Sequence, residues 1–169
     1  SFVHGTDGVV LDSTYPIYRF EFINIHPSVS GKAFVFNVSI DSGSNYNIAK
    51  TSSFFRAYHG EGGAGGVLGY ESGSDLAQGT GNQRLTEELI GNGNDECAAG
   101  TMNFFNPSST TFVKHFIATM SAYHEADYQV ESFIAGYANT TSAVNAIRFQ
   151  MSSGNIDSGK IKLYGIKDS

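Results

Sequence analysis

The sequence predicts an all-β protein, an antiparallel β-sandwich of jelly-roll type with about eight to ten strands. First, apolar and polar residues alternate through several stretches, most plainly at 144–151 and 160–166. There Ile147, Phe149 and Met151 oppose Ala146, Arg148 and Gln150, while Ile161 and Leu163 oppose Lys160, Lys162 and Tyr164. A period of two gives a strand one buried face and one wet face. Second, clusters of Gly, Asn, Asp and Ser separate these stretches, and such residues accept positive φ or bond their own backbone in turns. Third, 13 Phe, 9 Tyr and 20 Gly, with frequent β-branched residues, favour strands and turns.

Taken in order, residues 1–14 are expected to be loosely ordered or a short edge strand, with 9–11 as the best strand candidate. Residues 15–25 form the first strong strand, with Tyr18, Phe20 and Phe22 on one face and Arg19 and Glu21 on the other. Pro16 sits at its start, where a missing N–H is tolerable. Residues 32–40 follow, with Phe34, Phe36, Val38 and Ile40 on the core face, and the turn 41–45 ends them. A third strand over 51–59 runs into the glycine-rich loop 60–66, and 67–71 reads as a short strand. Residues 83–90 suit either a helical turn or a strand, and their β surroundings favour strand. The arms 101–105 and 111–123 bracket a Pro107 turn, with Phe112, Lys114, Phe116 and Met120 on one face. Residues 128–138 make the next strand. The segments 144–151 and 160–166 are expected to close the domain as a hairpin, or at least as neighbouring strands, across the spacer 152–159.

Length and composition set bounds on function. A chain of 169 residues reads as one domain over 1–169, large enough for its own core. Only 15% of residues are charged, below the roughly 25% usual for soluble domains, so Ser, Thr, Asn and Gly must supply much of the polar surface. A net charge of −6 without a basic stripe argues against nucleic-acid binding, which needs cations to displace phosphate counterions. No apolar run approaches the roughly 18 residues of a membrane span and no signal-peptide pattern occurs, so membrane insertion is not expected. The start at Ser1 rather than Met reads as a processed or trimmed end. Cys97 is the only cysteine, which rules out an internal disulfide; it reads first as an inert thiol, since a reactive one wants a nearby His or a helix N-terminus.

Candidate chemistry is sparse. Tyr123, His124, Glu125 and Asp127 form the densest ionisable cluster, in which His124 and Asp127 could ligate a metal or act as an acid–base pair. The cluster also lies between two strands, where a solvated turn is the plainer reading. His59 and Glu61 beside the glycine loop invite both readings in the same way, and His115 reads as a sheet or interface histidine. Asp41, Asn45 and Asn47 offer oxygens for calcium, without the spacing and terminal Glu of an EF-hand. Asn37 and Asn139 begin glycosylation triplets that, without a secretory signal, read as coincidence. No nucleophile elbow, phosphate-binding loop, H-E-x-x-H or paired-cysteine zinc pattern occurs. The expectation is therefore a binding or assembly module, not an enzyme, with no cofactor and no metal.

Several stretches resemble proteins of tailed bacteriophages, marine ones especially. They are YRFEFINIHP at 18–27, DSGSNYNIAK at 41–50, NPSSTTFVKH at 106–115, and 142–167 with AIRFQMSSGNIDSGKIKLYGIK. These relatives are uncharacterised virion-type or fibre-associated β-sandwich proteins. The resemblance implies a structural part of a phage particle and brings no catalytic residues; the glycine run 60–66 departs from it and suggests a variable surface loop.

The resulting expectation is a virion protein exposed on the particle surface, as a tail-fibre or receptor-binding module or a capsid decoration protein. It would self-associate as a homotrimer or larger, contact other virion proteins, and touch a host surface glycan. Expected surface contacts are Tyr58, His59, Glu61, Tyr123 and His124, with the loops 60–66 and 91–95. The alternative is a lectin-like carbohydrate-binding module with Tyr58, Tyr70 or Tyr123 as its aromatic platform. A glycan-degrading enzyme would need paired carboxylates, for which only Glu71, Glu125 and Asp127 are suggestive.

Overall fold

The computed structural model describes residues 1–87 and 89–168. Among them there is no helix; eleven strands form two antiparallel sheets. The strands are β1 (Phe2–Val3), β2 (Ile17–Pro27), β3 (Phe34–Ser39), β4 (Lys50–Gly60), β5 (Val67–Tyr70) and β6 (Gln83–Arg84), then β7 (Ala98–Phe105), β8 (Lys114–His124), β9 (Tyr128–Ala138), β10 (Ala146–Met151) and β11 (Ile156–Ile166). The smaller sheet has the order β1-β10-β3-β6 and the larger β11-β2-β7-β8-β9-β4-β5. The architecture is the expected β-sandwich. Within the larger sheet, β7, β8 and β9 follow one another as a meander.

Side-chain alternation builds the core. Tyr18, Phe20 and Phe22 from β2, Phe54 from β4, Phe104 from β7 and Phe116 from β8 face Phe34, Phe36, Ile147 and Phe149 of the smaller sheet. Phe149 is the hub: its ring lies 4.9–6.3 Å, centroid to centroid, from those of Phe2, Phe20, Phe22, Phe34 and Phe36. Such edge-on and offset contacts favour the ring quadrupoles beyond the area they bury.

The two outer faces differ. All six residues of β3 are buried, including the outward Val35, Asn37 and Ser39. Loops roof them: Asn37 Nδ2 donates to the carbonyls of Tyr46 and Thr80, and the guanidinium of Arg148 sits 4.2 Å from the centre of the Tyr46 ring. Among the described residues none roofs the outer face of the larger sheet in this way, and Phe55 and Ile117 are 41% and 52% exposed on it.

Several expectations need correction. The segments 144–151 and 160–166 form no hairpin: β10 belongs to the smaller sheet and β11 to the edge of the larger, beside β2. The residues between them carry the chain from one sheet to the other. β11 also starts earlier, at Ile156, through two register shifts near Gly159, whose positive φ of 121° brings its backbone close to the Asn24 carbonyl.

Among the described residues of 83–90, only Gln83–Arg84 is strand. Beyond it Phe34 redirects the chain: its carbonyl accepts the Leu85 N–H and its own N–H donates to Thr86 Oγ1. Glu88, inside that stretch, lies outside the described residues. The N-terminal strand is Phe2–Val3 rather than 9–11. Ile40 and Phe112, expected in the core, are 38% and 71% exposed, because β3 ends at Ser39 and β8 starts only at Lys114.

Candidate functional site

At one end of the sandwich β4, β8 and β9 run on past the core, and their inward positions line a groove of about 280 Å3. It is formed by Arg56 and Tyr58 from β4, Glu87 and Leu89 from the irregular chain after β6, and His124, Tyr128 and Val130 around the β8–β9 turn. Register assembles it, since Tyr58 lies opposite Val130 and His124 opposite Tyr128. Gly60 lets the Tyr128 ring in, because a Cβ there would stand 3.1 Å from it.

Arg56 organises the groove. Its guanidinium pairs with Glu71 at 3.2 Å and with Glu87, and lies 5.1 Å from the centre of the Tyr58 ring. Tyr58 meets Tyr128 edge to face at 5.6 Å, and Tyr128 meets His124 in the same way. His124 Nδ1 accepts the Ala126 N–H, so its proton sits on Nε2. Burial, with Arg56 acting the same way against the opposing pull of Glu125, holds this imidazole below its ordinary pKa and keeps it neutral.

The expected contact residues thus divide. Tyr58 and His124 meet in the groove, whereas His59, Glu61 and Tyr123 do not line it. His59 is exposed on the outward side of β4, and Glu61 is exposed in the glycine loop, its N–H bonded to the Asp127 carbonyl. The Tyr123 hydroxyl donates to Asp127 at 3.2 Å, and desolvation, then Asp127 and Glu61, push it up to about 12. Arg56, Glu87 and Tyr128 are additions to the expected set. Arg56 had one readable signal, a charge at the parity of buried Phe54.

The suggestive acids are each engaged by a neighbour: Glu71 by Arg56 of the groove, Glu125 by the Ser30 hydroxyl at 2.7 Å and Asp127 by Tyr123. Among the described residues the groove holds one carboxylate, Glu87, and no cluster of three His, Cys, Asp or Glu is placed to hold a metal. Asp41 spends both carboxylate oxygens on its own turn, accepting from Ser39 and Asn45, and those hydrogen bonds lower its pKa to about 2.

A second cleft, of about 550 Å3, lies where the loop 91–97 meets the bulged β2–β11 pair, and holds His26, Cys97 and Asp157. The trio suggests a nucleophile with its base, but the bonding denies it. His26 Nδ1 is 2.6 Å from Asp157 Oδ1 and Nε2 is 3.0 Å from the Gly93 carbonyl. Both partners are acceptors, so both nitrogens carry protons and no lone pair remains to activate a thiol. Burial raises the Cys97 pKa, the opposite of what a nucleophile needs.

The third surface is the open outer face of the larger sheet. Phe55 and Phe133 stack there at 4.9 Å, and a shallow apolar trough of about 510 Å3 runs past Ile117, Ala135 and Tyr137. No protein-family model, curated protein or solved structure matches this chain.

Proposed function

We propose that this chain is a non-enzymatic structural protein of a tailed-phage virion, exposed on the particle as a tail-fibre or receptor-binding module or a capsid decoration protein. The observation that carries the reading is the asymmetry of the sandwich. One outer face is roofed by the chain's own loops, while the other stays open with Phe55, Ile117 and the Phe55–Phe133 stack exposed to partners. An open apolar face of this kind fits burial against copies of the chain, as a homotrimer or larger, and against other virion proteins. Jelly-roll modules suit such a role, since rigid sheets carry variable loops. The resemblance adds support: 18–27 and the end of 142–167 supply β2 and β11, hydrogen-bonded neighbours in one sheet.

The groove favours a second reading, a carbohydrate-binding module. Tyr58, Tyr128 and His124 offer apolar ring surface, and Arg56 and Glu87 offer planar hydrogen-bonding groups for hydroxyls. The native mass by light scattering, with immunolabelling of the particle of origin, separates the two. A trimer or larger assembly on a virion supports the structural reading. A monomer absent from any particle, together with a hit on a glycan array lost in Tyr128→Ala, moves the sugar-binding reading to first place.

A further inference from the structure

Two sheets have four edges, and three of these are blunted. β1 and β6 are two residues long. β11 carries Lys160 and Lys162 and two register shifts. Short, charged or bulged edges are how sheets avoid pairing with other chains.

The fourth edge, β5, is the exception. Its four residues, Val67, Leu68, Gly69 and Tyr70, contain no charge and no proline, and pair with β4 in unbroken register. Leu68 is 72% exposed and Tyr70 60%, with Val67 and Phe55 beside them also exposed. Tyr70 is held in place by its hydroxyl, which donates to Asp75.

The backbone of this edge is ready for a partner. The Glu71 N–H donates to the Phe54 carbonyl at 2.9 Å, which makes Phe54 and Glu71 a hydrogen-bonded pair of the ladder. Antiparallel pairs alternate, so Val67 and Gly69 turn their N–H and C=O toward β4 and Leu68 and Tyr70 turn theirs outward.

We propose that β5 pairs with β5 of a second copy, joining two larger sheets across a two-fold axis. The proposal rests on the self-association reading and adds to its open-face contact a two-fold edge contact, which by itself closes a dimer. Leu68 of each copy then faces Tyr70 of the other, both outward hydrogen-bonding residues are used, and Gly69 lies on the axis opposite itself. Charge agrees with a second copy as the occupant, because this register sets Glu71 against Val67 of the other chain and brings no like charges opposite. The exposed surface of Phe55, Val67, Leu68 and Tyr70, on the order of 400 Å2 per copy and about 800 Å2 across the pair, is the upper bound on what these side chains can bury, since edge pairing covers only the part along β5. That is the low end for a specific contact, so this is a concentration-dependent dimerisation, or a link between larger units, rather than an obligate one.

The test uses the full chain. Leu68→Pro removes an N–H that the register turns away from β4, so the β4–β5 pairing keeps its hydrogen bonds while the outward ladder is broken. Sedimentation should show self-association weakened at least tenfold. In a Cys97→Ser background, Gly69→Cys should give an oxidised dimer, since opposed non-hydrogen-bonded residues approach to about 4.5 Å between Cα atoms, within disulfide reach. Nothing lies within 4 Å of a Cβ at Gly69 to prevent the substitution.

If Leu68→Pro assembles as the wild type does and Gly69→Cys fails to cross-link, the edge proposal is overturned. Should Ile117→Glu then abolish assembly, self-association through the open face stands without it. A wild type that is monomeric at every concentration overturns both.

Discussion

Lys50 and Lys114 flank the same residue, Ala138, from neighbouring strands, and both lysines are fully buried. Neither makes an ion pair among the described residues. Lys50 Nζ donates to Asn37 Oδ1 at 2.7 Å and the Ile48 carbonyl at 2.8 Å. Lys114 Nζ donates to the carbonyls of Ser109, Phe112 and Thr140 at 2.5, 2.9 and 3.0 Å. Lys114 gathers three loop carbonyls, while Lys50 joins the Ile48 carbonyl to Asn37 Oδ1 of β3, which also accepts the Val38 N–H. The two lysines thus tie loop segments and, through Asn37, the smaller sheet onto the larger sheet at this end of the sandwich.

Replacing Lys114 by Met strands three carbonyl acceptors, and urea denaturation should show a loss of about 2–4 kcal/mol. Equal stability of Lys114→Met and wild type would mean that the loop 106–113 holds its shape without the ammonium.

Lys50 adds a pH signature. Burial lowers its pKa from 10.5 to about 8. Between these values the unfolded chain binds a proton that the folded chain does not, so stability rises with pH across that window. From pH 7.5 to 9.5 the gain from Lys50 should be on the order of 1–2 kcal/mol, and the rise should shrink in Lys50→Met to what Lys114, whose pKa burial also lowers, contributes in the same direction. Cys97, raised by burial, opposes the trend in the upper part of this window, and Tyr18, Tyr70 and Tyr123, all raised in the fold, oppose it at higher pH.

His26 runs the other way. Its hydrogen bond to Asp157, then that to the Gly93 carbonyl, raise its pKa above the ordinary value of 6.5. The contribution is therefore complete below pH 6.5 and is lost as pH rises through the folded value. Imidazole resonances followed by NMR should give His26 a pKa above that of a free histidine, and Asp157→Asn should bring it down. Amide exchange in the loop 91–97 should quicken over the same rise in pH in the wild type; exchange indifferent to pH beyond its intrinsic rate would discount the clamp.

How legible all this was in the sequence follows from what alternation records. It reports which face a residue takes, and so 128–138 is a strand with the expected bounds and Phe20, Phe34 and Phe116 are core residues. It does not report a strand's partner, so β10 and β11 could look like a hairpin while lying in different sheets. Nor does it locate the end of a strand: Phe112 continues the Phe116 pattern, but Lys114 Nζ takes the Phe112 carbonyl for the loop. The groove draws on β4, the chain after β6 and the β8–β9 turn, segments joined only by pairing, so Tyr58 and His124 could be singled out but not brought together with Arg56 and Glu87.

The Arg56 pairings should be coupled. Removing the guanidinium in Arg56→Met leaves Glu71 and the mostly buried Glu87 without a cation, at a cost of about 1–3 kcal/mol. In the double variant Arg56→Met/Glu87→Gln the loss should shrink, since no charge is then stranded at Glu87. A strictly additive double-mutant cycle would mean that the two side chains do not interact in solution.

Phe149 tests the core. Its ring is the one shared by five others, so Phe149→Ala opens a cavity that the surrounding rings can close only by losing their own contacts. A loss of about 3–5 kcal/mol is expected in urea, and Phe149→Leu should recover part of it. The measurement also bears on how the two sheets communicate, because Phe20 and Phe22 belong to the larger sheet and Phe34 and Phe36 to the smaller. If the sandwich is one cooperative unit, probes of the two sheets should unfold together in Phe149→Ala as in the wild type. Separate transitions would show that this ring is what makes the two sheets unfold as one.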